Sequence, residues 1–503
     1  MSDQQRPRSS LTSQALWLLV AKTLGFMLAF ALPVLLTRSL SQSEYGIFKQ
    51  VFLIASTAVA LLTFGFGMSA YYYLPRENDP VRRGQVILNI LLFNLLMGAA
   101  ACLLLIFWPG VIVRIFRDPE MVSYSPFIGV VILLWLFYLF LETVTVANQE
   151  WRLATVFIVV GQLSRTGLLF GAAIVFDTVR AMLYAAIIHG LLQSGTLIWY
   201  VVSRFPGFWR KFDWSLTLKQ VAYVVPFGFA GLLYTFQTDL HNYFVSNRFD
   251  PATFAVYSIG VAQLPLVGIL RESVSSVMLP RISLLQEQRQ EREIIELLAN
   301  ATRKLAAVFL PMYVFLLVTG REFLTFMFTS AYVDSWPIFA INLALLPLAL
   351  LDVDPVARAY ESHRFFLVRL QIVLSIVNVF ALWFCISRFG LIGAISVVVG
   401  INLILRLALV LRFSRVLGAT LRDLQLFKDI GKLAVASIVA GVLCFLVRSV
   451  MISSNPGPLV IMTTCFIAFA AVYGLAFLML GVATDEEREK VRRGFDRILS
   501  VVR

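Results

Sequence analysis

Charge is what this sequence has least of. Of its 503 residues only 14% are charged, against 59% hydrophobic, whereas soluble domains run near 25% charged. A soluble chain of this length would form two or more domains, each needing a polar surface. These residues cannot cover such surfaces, so a soluble enzyme is excluded. Cysteine is scarce as well. Cys102, Cys385, Cys444 and Cys465 all fall in apolar runs, with no CxxC or Cys/His grouping. That excludes a disulfide framework and a zinc site and leaves small buried thiols. No P-loop, HExxH or GxSxG stands in a usable context. The chain is therefore expected to be no enzyme, to hydrolyse no ATP, and to hold no metal and no cofactor.

What is present is long apolar sequence. A hydrocarbon layer about 30 Å thick takes roughly 20 apolar residues per helix. Fourteen stretches qualify: 14–37, 47–70, 84–108, 124–147, 154–176, 181–203, 220–244, 253–279, 304–328, 336–357, 367–387, 391–414, 432–452 and 459–481, numbered below as spans 1 to 14. They are continuous, whereas membrane strands alternate over about ten residues. The expected fold is all-α, a polytopic membrane protein of about 14 transmembrane helices. The first span is longer than a signal-peptide core and is not followed by a cleavage site, so it is kept as an anchor.

The net charge of +13 would suggest nucleic acid in a soluble protein. Here it is the loop bias that orients membrane proteins. With the N-terminus inside, 29 Lys and Arg fall on the cytoplasmic side, 9 on the outer side and 4 within spans. The asymmetry puts both termini in the cytoplasm, and no nucleic-acid partner is expected. Loops are short. The longest outer one is 109–123, and the inner connection 280–303 is expected to extend span 8 as a polar helix. After Thr484 and Glu487, at capping-box spacing, Val491, Phe495, Ile498, Leu499 and Val502 share a helical face. Residues 482–503 are thus expected to form a cytoplasmic amphipathic tail at the interface, with a partner-docking helix as the alternative.

A parallel internal repeat relates spans 1–2 to spans 7–8. A lone Arg (Arg38, Arg248) precedes a Tyr near the next helix start (Tyr45, Tyr257), and that helix closes on Leu74-Pro75-Arg76 or Leu279-Pro280-Arg281. Six plus six spans with an appended pair follows. The expected organisation is an N-lobe at 1–203, a cytoplasmic linker at 204–219, a C-lobe at 220–414 and appended spans 13 and 14 at 415–481.

The stretch Leu35 to Gly46, with Arg38, Glu44, Tyr45 and Gly46, resembles the polysaccharide-biosynthesis flippases. So do the succession Asp239, Tyr257, Leu279-Pro280-Arg281 and the turn Arg388-Phe389-Gly390-Leu391-Ile392-Gly393-Ala394. These flippases belong to the multidrug/oligosaccharidyl-lipid/polysaccharide exporter superfamily. The resemblance implies two six-helix lobes around a central cavity plus two C-terminal helices. It also implies passage of an undecaprenyl-pyrophosphate-linked oligosaccharide from the inner to the outer leaflet of a bacterial inner membrane, for O-antigen or exopolysaccharide synthesis. A lipid II flippase and a multidrug antiporter of the same superfamily are the alternatives. A membrane glycan polymerase is disfavoured by the short outer loops. Expected partners are the lipid-linked oligosaccharide, membrane lipids and other polysaccharide-assembly proteins.

Four cations lie within spans: Lys22, Arg165, Arg271 and Arg406. Each costs about 2.5–3.5 kcal/mol at a helix centre on insertion scales. Snorkelling excuses Arg165 least, since it sits near the middle of span 5. Together they would suit a pyrophosphate head group, whose oxygens match the guanidinium fork; structural ion pairs are the alternative. Three acids, Glu142, Asp239 and Glu272, are candidates for binding a coupling H⁺ or Na⁺, again with structural pairing as the alternative. His189 and His241 are expected to be structural. Asp352-Val353-Asp354 has the form of a nucleotide-metal DxD motif but reads better as a helix-end turn before Pro355. Pro33, Pro226, Pro265 and Pro311 lie inside spans 1, 7, 8 and 9, where they either bend with transport or make static kinks.

The charge bias makes a direct forecast. Cysteine placed at position 214 or 289 should escape an impermeant thiol reagent in intact cells, and cysteine at 334 should react; the reverse pattern would invert every depth assignment.

Overall fold

The structure, a computed structural model, describes residues 11–210, 212–360, 363–454 and 456–481. Among them there are helices and no strands. Eleven helices are long and apolar enough to cross a membrane, and two bent helix pairs, covering spans 7 and 8, each add one more. The longest run, Arg364–Val416, is two helices joined at Gly390, whose φ of 58° and ψ of −136° leave helical space. Glycine alone enters that region freely, and it stands in the turn expected between spans 11 and 12. With this break the described residues contain all fourteen expected spans. The amphipathic tail lies outside the described residues.

The prolines divide into two kinds. Span 8 bends by 46° between Pro251–Gly260 and Pro265–Glu287. Pro265 does not kink a helix there; it begins one, where its missing N–H costs nothing. Span 7 bends by 47° between Trp214–Val225 and Gly228–Arg248, on either side of the segment that holds Pro226. Pro33 and Pro311, by contrast, sit inside continuous helices. A proline at 311 leaves the carbonyl of Ala307 without its helical donor. The Tyr473 hydroxyl, from span 14, donates to it at 2.9 Å. The expected helical extension after span 8 is shorter than the sequence suggested. The helix stops at Glu287, Arg289 takes a positive φ of 56°, and Glu291–Phe328 begins the next helix at once.

The chain forms two compact units, residues through Ser258 with Gln371–Ala394, and Ile259–Leu370 with residues from Ile395 onward. In the first, Trp214–Arg248 packs against Gln42–Leu62 and Gly110–Phe116. In the second, Lys428–Ile452 and Pro458–Met479, the appended pair, dock on Glu291–Phe328.

The starts of the two repeat motifs meet in the first unit. Ser41 and Glu44 close a capping box at the start of Gln42–Leu62, which satisfies two orphan backbone donors. Tyr45 and Tyr257 are both fully buried, and the Tyr257 hydroxyl lies 2.8 Å from His241 Nδ1. Gly46 touches the Pro251 backbone so closely that a Cβ would fall 1.9 Å from the Pro251 carbonyl oxygen. Gly46→Ala should therefore lower the thermal stability of the purified protein, by roughly 1–3 kcal/mol for an overpacked contact. Gly431→Ala, in a helix with nothing within 4 Å of the added carbon, should be neutral or slightly stabilising in the same measurement.

Candidate functional site

The second unit gathers three of its spans on one carboxylate. Asp352 follows the short turn Ala349–Leu351 and takes an extended conformation, φ −79° and ψ 105°. That aims its side chain back at spans 8 and 12. Arg271 donates to Asp352 Oδ2 from Nε at 3.2 Å and from Nη2 at 2.7 Å. Arg406 reaches Oδ1 at 2.9 Å, and the Asp354 N–H donates to the same oxygen at 3.1 Å. The Arg406 side chain is 13% exposed and that of Arg271 is 41% exposed. Both carboxylate oxygens are thus occupied, and the triad keeps one net positive charge. A cleft of about 30 Å³ opens beside it, with Arg271, Ser275, Thr302 and Asp352 in its wall. That is water-sized.

In the first unit Lys22 Nζ lies 3.8 Å from Glu142, both about half exposed. Such a pair contributes little, about 0–1 kcal/mol. Arg165 is different. Its guanidinium lies over the Trp135 ring at 4.3 Å from the centroid, and no carboxylate pairs with it among the described residues. Of its nitrogens, only Nε counts among the enclosed atoms without a hydrogen-bond partner. His189 stands nearby, edge-on to Tyr138, and its Nε2–H donates to the Gly161 carbonyl at 3.1 Å. A carbonyl oxygen can only accept, so Nε2 carries the hydrogen of that bond.

Of the three acids, Asp239 accepts a hydrogen bond from the Thr57 hydroxyl at 2.6 Å and has no cationic partner among the described residues. Glu142 is taken by Lys22. Glu272 is exposed and makes no ion pair among the described residues. The four cations thus form no single cluster within either unit; Arg271 and Arg406 come together, and Lys22 and Arg165 have different surroundings.

Two features escaped the sequence. Asp352 was legible as a helix-end residue but not as the partner of two arginines. The available signal was depth, since spans 8, 10 and 12 each carry a charge near the same end. The other is Glu322 with Arg448. Arg448 donates from Nε at 3.0 Å and from Nη2 at 2.7 Å to Glu322 Oε1, and the side chains are 18% and 10% exposed. Counted by position alone, Arg448 belongs to an outer flank; the structure puts it inside Lys428–Ile452 and against span 9.

A family model described as "Polysaccharide biosynthesis protein" matches residues 35–337, more than half of the chain. The chain belongs to this family. No curated protein sequence matches it. Among solved structures it is similar to a lipid II flippase MurJ in an inward closed conformation, with a TM-score of 0.70 at 14% identity, covering 93% of this chain and 99% of that one. An inward-facing multidrug-resistance MATE transporter of the MOP superfamily gives 0.60 at 13% identity, covering 78% and 95%. A MOP superfamily transporter from Pyrococcus furiosus gives 0.56 at 15%, covering 82% and 97%. The family member therefore has the multi-pass fold of the MOP exporters.

The Glu322–Arg448 pair ties span 13 to span 9, and its removal is informative. Breaking a buried pair from one side costs about 3–5 kcal/mol, while replacing both partners with apolar groups is often neutral. Glu322→Ala should lower the melting temperature in detergent sharply, and the double change Glu322→Met with Arg448→Met should recover most of the loss.

Proposed function

We propose that this chain moves an undecaprenyl-pyrophosphate-linked oligosaccharide from the inner to the outer leaflet of a bacterial inner membrane, with both termini in the cytoplasm. Two six-helix lobes, 1–203 and 220–414, would expose the substrate alternately to the two sides. The family match supports polysaccharide synthesis, and the fold supports transport across a membrane rather than catalysis. The observation that carries the reading further is Arg165. An ionised group within a span is costly unless it is paired or functional. Lys22, Arg271 and Arg406 each have an acid, whereas Arg165 has an aromatic face. The Trp135 ring holds the guanidinium in place, leaving its fork for an anionic ligand. Arg271 and Arg406, with their residual positive charge, and Lys22 would act as secondary contacts. A cationic drug is a poor match for this set, since span 1 carries Lys22 and no acid. Asp239 is the carboxylate best placed to take a coupling H⁺ or Na⁺, because Glu142 is already paired and Glu272 is exposed.

The test is export of the glycan by cells producing position-165 variants at normal levels in the membrane. Arg165→Ala should weaken binding about ten- to a hundredfold, the effect of one charge-assisted hydrogen bond of about 1.5–3 kcal/mol. Arg165→Lys should restore only part of it, because an ammonium keeps the charge and loses the fork. Normal export by Arg165→Ala would sink the assignment.

A further inference from the structure

Spans 1 and 5 pack along each other but leave a groove of about 290 Å³ between them. Val20, Ala21 and Leu24 line one side, Val156, Val159 and Val160 the other, and Trp17 stands at one end. The lining exposes no polar surface. Its one hydroxyl, on Thr155, is turned back to the Trp151 carbonyl at 3.0 Å. From Trp17 to Leu24 the groove runs about 10 Å along the helix, at 1.5 Å per residue. Half of a 30 Å hydrocarbon layer is about 15 Å, so the groove is as long as most of one leaflet and no longer.

The end of the groove is built differently. Trp17 and Trp151 approach with ring centroids 6.4 Å apart, and tryptophan is the residue that marks the level of lipid head groups. The Arg152 guanidinium lies over the Trp151 ring at 4.9 Å and is exposed. No carboxylate pairs with it among the described residues. The neighbouring Glu150 is committed to Arg204 at 2.9 Å.

We infer that this groove is a binding site for one acyl chain of an anionic phospholipid of the cytoplasmic leaflet, whose phosphate meets Arg152. The lining accepts only hydrocarbon, the length matches a chain reaching from head group to midplane, and the free cation sits where the phosphate would lie. A polyprenyl carrier chain is several times longer than the groove, and a zwitterionic lipid would gain less from Arg152, because the cation of its own head group offsets the phosphate charge. The inference is independent of which glycan the protein carries.

The site can be tested by tryptophan quenching in reconstituted vesicles. Phosphatidylglycerol with brominated acyl chains, diluted into phosphatidylcholine, should quench the protein about fivefold more effectively per lipid than brominated phosphatidylcholine, the effect of one basic side chain near an anionic head group. Trp17→Phe should remove the phosphatidylglycerol-specific part of the signal. Arg152→Gln, at an exposed position, should abolish the preference, and Val160→Phe, which plugs the groove, should abolish the quenching of Trp17. Equal quenching by the two lipids in the unaltered protein would overturn the site, as would a preference that survives both Arg152→Gln and Val160→Phe. Displacement of the brominated lipid by undecaprenyl phosphate at equal concentration would overturn the choice of occupant.

Discussion

An ionised side chain inside about 30 Å of hydrocarbon must find a counter-charge, reach water or serve a ligand. Asp352 shows the first solution. One carboxylate neutralises half of the charge on two arginines and uses both of its oxygens to do so. It also brings spans 8, 10 and 12 to one point. Replacing it with asparagine would leave two cations sharing a neutral amide, so the carboxylate sets both the local charge and the spacing of three helices. The Glu322–Arg448 pair does the same for spans 9 and 13. In a chain with so few charges, these contacts give helix packing a directionality that apolar contacts against lipid-like neighbours do not supply.

Much of the fold was legible because the membrane restricts the choices. Span number and order follow from apolar length, and the Gly390 turn follows from a glycine between two such lengths. The cap at Ser41 and Glu44 follows from local spacing. What was not legible is contact between residues far apart in the chain. Glu322 and Arg448 are 126 positions apart, and Arg271 and Asp352 are 81 apart. Nothing in the local pattern of either partner names the other. The same holds for Tyr473, which supplies the donor that Pro311 removes from Ala307. A proline is visible in sequence, but the group that compensates for it is not.

The repeat was visible as an order of three short features, and its physical content appeared only in the packing. Tyr45 and Tyr257 are both fully buried, and Gly46 lets the start of one motif press on the backbone of the other. Arg248 donates to the Ser387 hydroxyl at 3.0 Å, which links the end of span 7 to the end of span 11. A break of 47° in span 7 precedes this second motif, and one of 46° in span 8 lies within it, between Tyr257 and Leu279. The first copy is built from pieces too: after Leu62 its second span breaks at Phe64 and Gly65, both at positive φ, and resumes as Phe66–Met68 and Ser69–Tyr73.

Against this background Arg165 stands apart. Its neighbours hold it without neutralising it. The Trp135 face attracts the guanidinium but carries no charge, and the nearby His189 is fixed as a hydrogen-bond donor to a backbone carbonyl. A purely structural arginine at such a depth would be expected to sit like Arg406, with a carboxylate at hydrogen-bond distance, because breaking even one such pair leaves a charge uncompensated. In the proposed transport role an arginine without a resident carboxylate is the better primary contact, since at a paired one such as Arg406 an anionic substrate would compete with a carboxylate covalently fixed in place. A cation–π contact resolves the conflict. It orients the side chain at a cost of about 0.5–2 kcal/mol to disrupt, less than a buried ion pair, and leaves the charge available to whatever anion arrives.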